Sequence, residues 1–316
     1  MAHQGSSRRE FLRDTVLAAG LAAMPGVMTS LARAGAGKLH VACNQYPWAV
    51  YYQREGRDFG ASLDSGLAEV KASGLDGFEP GVGGLGEIAR MAPLLKKHGL
   101  EMRSLYVNST LHDAGQADKS IEEVVAAAAK AKESLGTRII VTNPSPIQWG
   151  GSQNKTDEHL KTQAAAMNKL GARLRQMGLM LAYHNHDIEL RNAACEFHHM
   201  MVGTDPANVT LCLDAHWVYR GAGNSQVALF DVLELYGHRV SELHLRQSRD
   251  NIWTEVLGPG DIDYERLAGR FVKIAVKPLL VLEQAVESGS PNTMKGIEAI
   301  RRSVEYTRQL FAGFAV

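Results

Sequence analysis

Two histidines stand together at the end of an apolar run near the middle of the chain. Residues 178–183 are almost wholly apolar, and His184, Asn185 and His186 follow them directly. Such runs are typical of strands that are buried on both faces, and alternate residues of a strand lie on the same face. His184 and His186 are therefore expected to point the same way. Buried imidazoles are costly unless they bind a metal, contact a ligand or transfer a proton.

Three later apolar runs end in, or carry near their ends, side chains of the same chemical kind. They are Asp214, His244 and Glu283, and the spacings from His184 onward are 30, 30 and 39 residues. Each spacing corresponds to about one strand–helix unit, so the four side chains are expected to meet at one rim of a parallel sheet. Imidazole and carboxylate ligands without a thiolate suit Mn²⁺, Zn²⁺, Mg²⁺ or Co²⁺, and the ligand set leaves that choice open.

The elements that must position these residues alternate regularly after residue 34. The predicted strands are 39–44, 77–80, 101–107, 138–142, 179–185, 209–214, 240–245 and 278–283. The predicted helices are 62–73, 85–98, 120–135, 157–177, 193–202, 227–236, 264–272 and 291–311. Eight such units predict a (β/α)₈ TIM barrel, an α/β fold of about 250 residues. A doubly wound open sheet is disfavoured because no glycine-rich phosphate turn follows the first strand.

The N-terminus has the features of an export signal. Arg8 and Arg9 form a twin-arginine pair, residues 16–24 are apolar, and Ala32-Arg-Ala34 supplies a small-residue cleavage site. We therefore predict a cleaved signal peptide over 1–34, a single barrel domain over 35–316, and delivery of the folded protein to the periplasm. The apolar run is too short to span a bilayer, so no membrane association is expected after cleavage.

The charge balance bears on possible partners. The chain has 34 Lys and Arg and 34 Asp and Glu, and residues 1–34 hold four of the arginines and two of the acids, which leaves a net charge of −2. Without a basic excess, nucleic-acid binding is not expected. The expected partner is a small-molecule carbohydrate substrate, while assembly into a homo-oligomer is left open.

Short motifs along the mature chain carry a family resemblance. They are Gly77-Phe-Glu-Pro80, 183–189, 213–218, His244-Leu-Arg246, 257–264 and 281–284. In order and spacing they resemble the xylose isomerase-like barrel superfamily of sugar isomerases, epimerases and dehydratases, and especially a subgroup described as sugar phosphate isomerase/epimerase. The resemblance implies that Asp214, His244 and Glu283 bind the metal, and it puts His184 at the ligand position of strand five.

The resemblance breaks at positions that matter for catalysis. The family's epimerases commonly carry Glu where this chain has His184, and a second Glu on strand eight is thought to move the proton from the other side. The strand-six histidine of the family is replaced by Trp217, with His216 one residue early, and Gln247 replaces a strand-seven Asp. One imidazole base opposite one carboxylate fits elimination at least as well as epimerisation.

The predicted function is a metal-dependent isomerase or epimerase of a sugar, keto-sugar or cyclitol, working by α-proton abstraction and a metal-stabilised enediolate. His186 or Glu189 is expected to act as the base, with Glu283 opposite. The predicted metal ligands are His184, Asp214, His244 and Glu283. The predicted substrate contacts are Glu79, His216, Trp217 and Arg246. Whether His184 or Glu189 is the strand-five ligand is left open.

Three alternative functions stand beside this prediction. On the same barrel, a dehydratase or a 3-keto-glycoside β-eliminating lyase would use the same first step. A non-catalytic sugar-binding barrel is disfavoured, because decay of an enzyme should remove Asp214, His244 or Glu283 first. A phosphodiesterase acting on damaged DNA is disfavoured by the export signal and the absence of a basic patch.

Overall fold

Eight parallel strands form a barrel in the computed structural model, which describes residues 39–314; the predicted signal peptide lies outside the described residues. The barrel strands are β1 (Val41–Asn44), β2 (Gly77–Glu79), β3 (Ser104–Tyr106), β4 (Ile139–Thr142), β5 (Met180–His184), β6 (Val209–Asp214), β7 (Val240–Leu245) and β10 (Leu279–Leu282). Their order is β2-β1-β10-β7-β6-β5-β4-β3. Parallel bridges from Gly77 to Glu101 and from Gly81 to Tyr106 join the two ends. The predicted (β/α)₈ fold is confirmed.

Helices surround this barrel between the strands. They are α1 (Gln45–Arg54), α2 (Leu63–Ala72), α3 (Leu85–His98), α4 (Ala117–Leu135), α5 (Asp157–Gln176), α6 (Arg191–Val202), α7 (Ala215–Gly221), α8 (Gln226–Tyr236), α9 (Tyr264–Lys273) and α10 (Gly296–Leu310). A short antiparallel hairpin of β8 (Ser248–Arg249) and β9 (Ile252–Trp253) is inserted after β7. Within residues 39–314, no helix has both the length and the apolar character that a membrane crossing requires.

Two helices that the sequence analysis did not predict begin directly at strand ends. The Asn44 side chain caps α1 by accepting a hydrogen bond from the Tyr46 amide at 2.8 Å. The Asp214 carboxylate caps α7 in the same way, accepting from the Trp217 amide at 2.8 Å. Asn and Asp are favoured caps because their oxygens satisfy otherwise unpaired amides of the first turn. Both helices were missed because no linker separates them from the preceding strand.

Close packing of the helices on the barrel explains one glycine of α5. A Cβ added at Gly171 would lie 2.1 Å from the carbonyl oxygen of Asn208, in the segment that leads into β6. That separation is far below van der Waals contact, so a side chain here would push α5 away from the sheet. The β6 strand, which ends in Asp214, is thus held directly by a helix that approaches its backbone closely.

Candidate active site

A cavity of about 1130 Å³ opens at the carboxyl ends of the strands. This is the face at which barrel enzymes of this kind place their active sites. Its lining comes from the segments that follow most of the barrel strands: Asn44, Gln45, Tyr46, Ala49, Gly81, Val82, Gly83, Gly84, Leu85, Tyr106, Val107, Asn108, Glu123, Ala126, Ala127, Trp149, His186, Trp217, Arg246 and Glu283. The predicted residues His186, Trp217, Arg246 and Glu283 therefore share one cavity.

Four predicted ligands meet at the base of this cavity, and we call them the candidate metal group. One ligand atom from each lies within 4.8 Å of the others, and the four residues are His184, Asp214, His244 and Glu283. They lie within one residue of the carboxyl ends of β5, β6, β7 and β10, and all four are buried. The barrel order β10-β7-β6-β5 makes these strands consecutive neighbours, which is why their ends converge.

The donor atoms of the candidate metal group fit a divalent cation. Nε2 of His184 and Oδ2 of Asp214 are buried, and neither has a hydrogen-bond partner among residues 39–314. Buried polar atoms are nearly always paired. Nη2 of Arg246 lies 3.8 Å from Oδ2 of Asp214, beyond hydrogen-bond distance, so Oδ2 and Nε2 of His184 both remain free to bind a cation. Burial also raises the pKa of Asp214 to about 7, against the opposing effect of Arg246, and a bound cation would favour its charged form.

Asn185 holds the end of β5 to the end of β6. Its side-chain nitrogen donates to the Asp214 carbonyl oxygen at 3.2 Å, and its side-chain oxygen accepts from the backbone amide of Asp214 at 3.1 Å. With the cap to Trp217, this leaves the Asp214 carboxylate one engaged oxygen and one open oxygen. The sequence analysis named Asn185 only as a neighbour, and its alternation with His184 and His186 was the available signal.

His244 lies between two carboxyl groups on one side and a third on the other. Its Nε2 is 3.0 Å from Glu242 and 3.2 Å from Glu79, while its Nδ1 is 3.0 Å from Glu283. Glu79 also accepts from the Asn44 side chain at 2.7 Å. Glu242 was missed by the sequence analysis, although its position two residues before His244 on the same strand puts both on one face.

Glu79 and Glu242, the two carboxyl groups beside Nε2 of His244, differ in protonation. Burial, followed by the charge of Glu79, raises the pKa of Glu242 well above its usual range. Burial raises the pKa of Glu79 as well, but the adjacent His244 charge and several hydrogen bonds bring it below its usual value. Two buried carboxyl groups in contact cannot both ionise cheaply. Glu79 is therefore the charged member and Glu242 the neutral one.

Arg246 closes the other side of Glu283. Its Nη2 lies 3.0 Å from the Glu283 carboxylate and its Nε donates to the Glu283 carbonyl oxygen at 3.0 Å. The guanidinium stacks on Trp253 at 4.2 Å and on Trp217 at 4.9 Å from the ring centres. Nη1 of this buried arginine has no hydrogen-bond partner among the described residues, and Arg246 contributes to the cavity lining.

His186 is placed above the candidate metal group. Its ring lies 4.8 Å from that of His184 and 5.4 Å from that of Trp149. Burial lowers its pKa to about 4, so the imidazole is neutral near pH 7 and can accept a proton. Trp149, in the loop after β4, was not identified from the sequence, and no local pattern marks it.

Glu189 occupies a different place from the one predicted for a base or ligand. Its carboxylate accepts from the His186 amide at 2.6 Å and from the Asn143 side chain at 3.0 Å. It belongs neither to the candidate metal group nor to the cavity lining. Burial raises its pKa to about 7, with the Glu196 charge adding to the effect. Its contacts hold the turn that carries His186.

Two predicted substrate contacts also lie outside the cavity lining. Glu79 is fully buried against Asn44 and His244, inside the barrel. His216 is buried with its ring near those of Trp217 and Trp253. Because β6 ends at Asp214 and α7 begins at once, the two-residue alternation of a strand no longer applies there. Trp217, the third residue of α7, lines the cavity instead of His216.

A family model for the xylose isomerase-like TIM barrel matches residues 67–310. The chain belongs to this family. Among curated members, the inosose dehydratase of Clostridium perfringens is 28% identical over 231 residues, covering 63% of this chain and 74% of that protein. The inosose dehydratase of Lacticaseibacillus casei is 25% identical over 201 residues, covering 60% and 64%.

Solved structures share the fold at low identity. A sugar phosphate isomerase/epimerase from Parabacteroides distasonis superposes with a TM-score of 0.65 at 18% identity, covering 90% of this chain and 100% of that one. D-Psicose 3-epimerase from Clostridium cellulolyticum superposes with a TM-score of 0.67 at 12% identity, covering 86% and 99%. At these identities the likeness supports the barrel and not a particular activity.

Proposed function

We propose that this chain is a metal-dependent enzyme that removes the proton beside the carbonyl group of a keto-sugar or keto-cyclitol. The observation that carries the proposal is the candidate metal group at the base of a cavity, with the neutral imidazole of His186 directly above it. The relatives named inosose dehydratase support this class of substrate, and they favour elimination over the epimerisation that the sequence analysis ranked first.

His186 is the base in this proposal. A divalent ion held by the candidate metal group would act as a Lewis acid toward the substrate carbonyl and acidify the neighbouring C–H bond. His186 accepts that proton, and the Glu189 carboxylate keeps its backbone in place through the amide hydrogen bond. Trp217 and the free Nη1 of Arg246 orient the ring and a hydroxyl group of the substrate.

The protonated His186 can then release its proton in either of two directions. Return to carbon gives an isomer or epimer. Delivery to the β-hydroxyl oxygen breaks the C–O bond, releases water and leaves an unsaturated ketone, so atoms and charge balance without a co-reactant. Epimerisation needs a second base on the opposite face, and the Glu283 carboxylate is already engaged by His244 and Arg246. This engagement favours elimination.

Proton exchange in deuterated water tests the proposal. The metal-supplemented protein is mixed with an inosose and, separately, with a ketohexose. NMR follows loss of the α-proton, and ultraviolet absorbance follows formation of the conjugated ketone. We expect exchange together with the ketone from the inosose, and a loss of about 10²-fold or more in His186→Ala. His238→Ala, which changes an exposed histidine away from the cavity, is the control. No exchange with either compound would refute the proposal.

A further inference from the structure

The cavity is larger than the proposed reaction requires. Its volume of about 1130 Å³ is slightly above the range of pockets that enclose drug-sized ligands, about 300–1,000 Å³. A single sugar or cyclitol ring is much smaller than such a ligand. A ring seated over the candidate metal group would therefore fill only part of the space, and the remainder must accommodate either solvent or a second portion of the substrate.

The chemistry of the lining changes along the cavity. The inner end, beside the candidate metal group, is lined by polar and aromatic side chains: Asn44, Tyr106, His186, Trp217, Arg246 and Glu283. The other end lies between the loop after β2 and the flank of α4, and we call it the outer compartment. Apart from glycines at 81, 83 and 84, its side chains are Val82, Leu85, Ala126, Ala127 and the charged Glu123, while Asn108 after β3 adds a polar side chain to the cavity lining.

Large apolar side chains are exposed where the cavity opens. Tyr46, Leu85 and Trp149 are 44%, 49% and 53% exposed, and all three line the cavity. Scattered single apolar residues need no explanation, but three that line the same cavity add exposed apolar surface of the kind found at binding sites. The Trp149 ring also contacts His186 edge-on, so the apolar opening is continuous with the catalytic end.

We infer that the outer compartment binds the apolar aglycone of a keto-glycoside whose sugar ring occupies the inner end. Hydroxyl groups placed against Val82, Leu85 and the α4 alanines would lose water without gaining partners, which is unfavourable. An aromatic or aliphatic group gains free energy from burial on the same surface. The inference rests on the proposed function for the position of the sugar ring, and it extends the expected substrates from free keto-sugars and keto-cyclitols to keto-glycosides.

Binding of two matched compounds tests the inference separately from catalysis. Phenyl and methyl 3-keto-β-D-glucosides share the sugar ring and differ only in the aglycone. Calorimetry on the metal-supplemented protein should give a dissociation constant about tenfold or more lower for the phenyl compound, as expected for burying most of an aromatic ring. Equal constants for the two compounds, or binding of neither, would overturn the inference.

Two substitutions on one helix supply the matched comparison. Ala126→Trp fills the outer compartment and should reduce the phenyl-to-methyl preference to about one. Ala129→Trp makes the same change on an exposed face of α4 outside the cavity lining and should retain the preference. Leu85→Ser, which removes apolar surface without bulk, should reduce the preference partially. A preference that survives Ala126→Trp would place the aglycone elsewhere.

Deuterium exchange on the same compounds distinguishes the two proposals. A phenyl preference that Ala126→Trp abolishes, with no α-proton exchange in either compound, would support the outer compartment and refute the proposed reaction. Exchange in both compounds with equal dissociation constants would support the reaction and overturn the outer compartment.

Discussion

Glu79→Gln and Glu242→Gln each neutralise a buried carboxyl group facing Nε2 of His244, yet we expect them to affect metal binding unequally. Glu79 is the charged member of the pair and accepts hydrogen bonds from Asn44 and His244. Glu242 is the neutral member. Glutamine has nearly the shape of a protonated glutamic acid, so Glu242→Gln can still accept from His244 and donate to Glu79. Glu79→Gln removes the negative charge itself.

The negative charge of Glu79 affects metal binding through the hydrogen bond between Glu79 and His244. Against the opposing effect of burial, Cys212, Glu79 and Glu283 raise the pKa of His244 well above its usual range, so the ring is charged in the metal-free protein. A cation bound at Nδ1 would displace the proton there, and the hydrogen that stays on Nε2 would still point to Glu79 and Glu242. A hydrogen bond to a charged partner contributes about 1.5–3 kcal/mol, and loss of such a partner from a metal-binding histidine typically costs about 10- to 100-fold in metal affinity. We expect that loss in Glu79→Gln and little change in Glu242→Gln.

Competition with a chromophoric chelator measures the dissociation constant of Mn²⁺ or Zn²⁺ for each variant. Nitrogen-15 NMR of His244 in the Zn²⁺-supplemented protein reports which ring nitrogen keeps its hydrogen, independently of activity. Glu255→Gln is the control, because it alters a buried carboxyl group that holds the loop at Thr293, away from the candidate metal group. Equal losses in Glu79→Gln and Glu242→Gln, or an unchanged affinity in Glu79→Gln, would refute the assignment of charge and tautomer.

Three further predictions concern the ligands, the fold and export. His184→Ala and Asp214→Ala should reduce bound metal, by elemental analysis, well below one ion per chain, whereas Glu189→Gln should retain it; the reverse pattern would make Glu189 the ligand. Gly171→Ala should lower the free energy of unfolding by about 1–3 kcal/mol, because its Cβ would clash with Asn208. Gly269→Ala, in an uncrowded turn of α9, should raise the free energy of unfolding by about 0.5–1 kcal/mol. Equal shifts in the two variants would contradict the packing argument. Arg8→Lys combined with Arg9→Lys should leave the precursor unprocessed in the cytoplasm, and cleavage near Ala34 in that variant would disprove the twin-arginine prediction.

The sequence by itself was sufficient to predict the barrel and the four side chains of the candidate metal group. Strands and helices alternate along the sequence as they do in the structure. His184, Asp214 and His244 are each separated by one strand–helix unit. Polar residues that end apolar strands are visible in one dimension, because a parallel sheet must bring the carboxyl ends of its strands to one edge. β6 and β7 even begin and end where the sequence predicts.

Only the tertiary structure decided which polar side chains face the cavity and which support it. Glu79 was expected at the rim, but β2 is separated from β7 by two strands, and its contact with His244 crosses the barrel interior. Distances across a closed barrel depend on its stagger and packing, which no local pattern encodes.

Hydrophobic periodicity likewise could not predict the positions of side chains in loops and at strand ends. Trp149, in the loop after β4, and Leu85, the first residue of α3, reach the cavity because of how the segments after β4 and β2 fold over the barrel. His216 turns away because α7 begins one residue after β6 ends, so a change from a period of 2 to a period of 3.6 redirects every following side chain. The position of that change depends on the Asp214 cap, a contact whose geometry exists only in the folded chain.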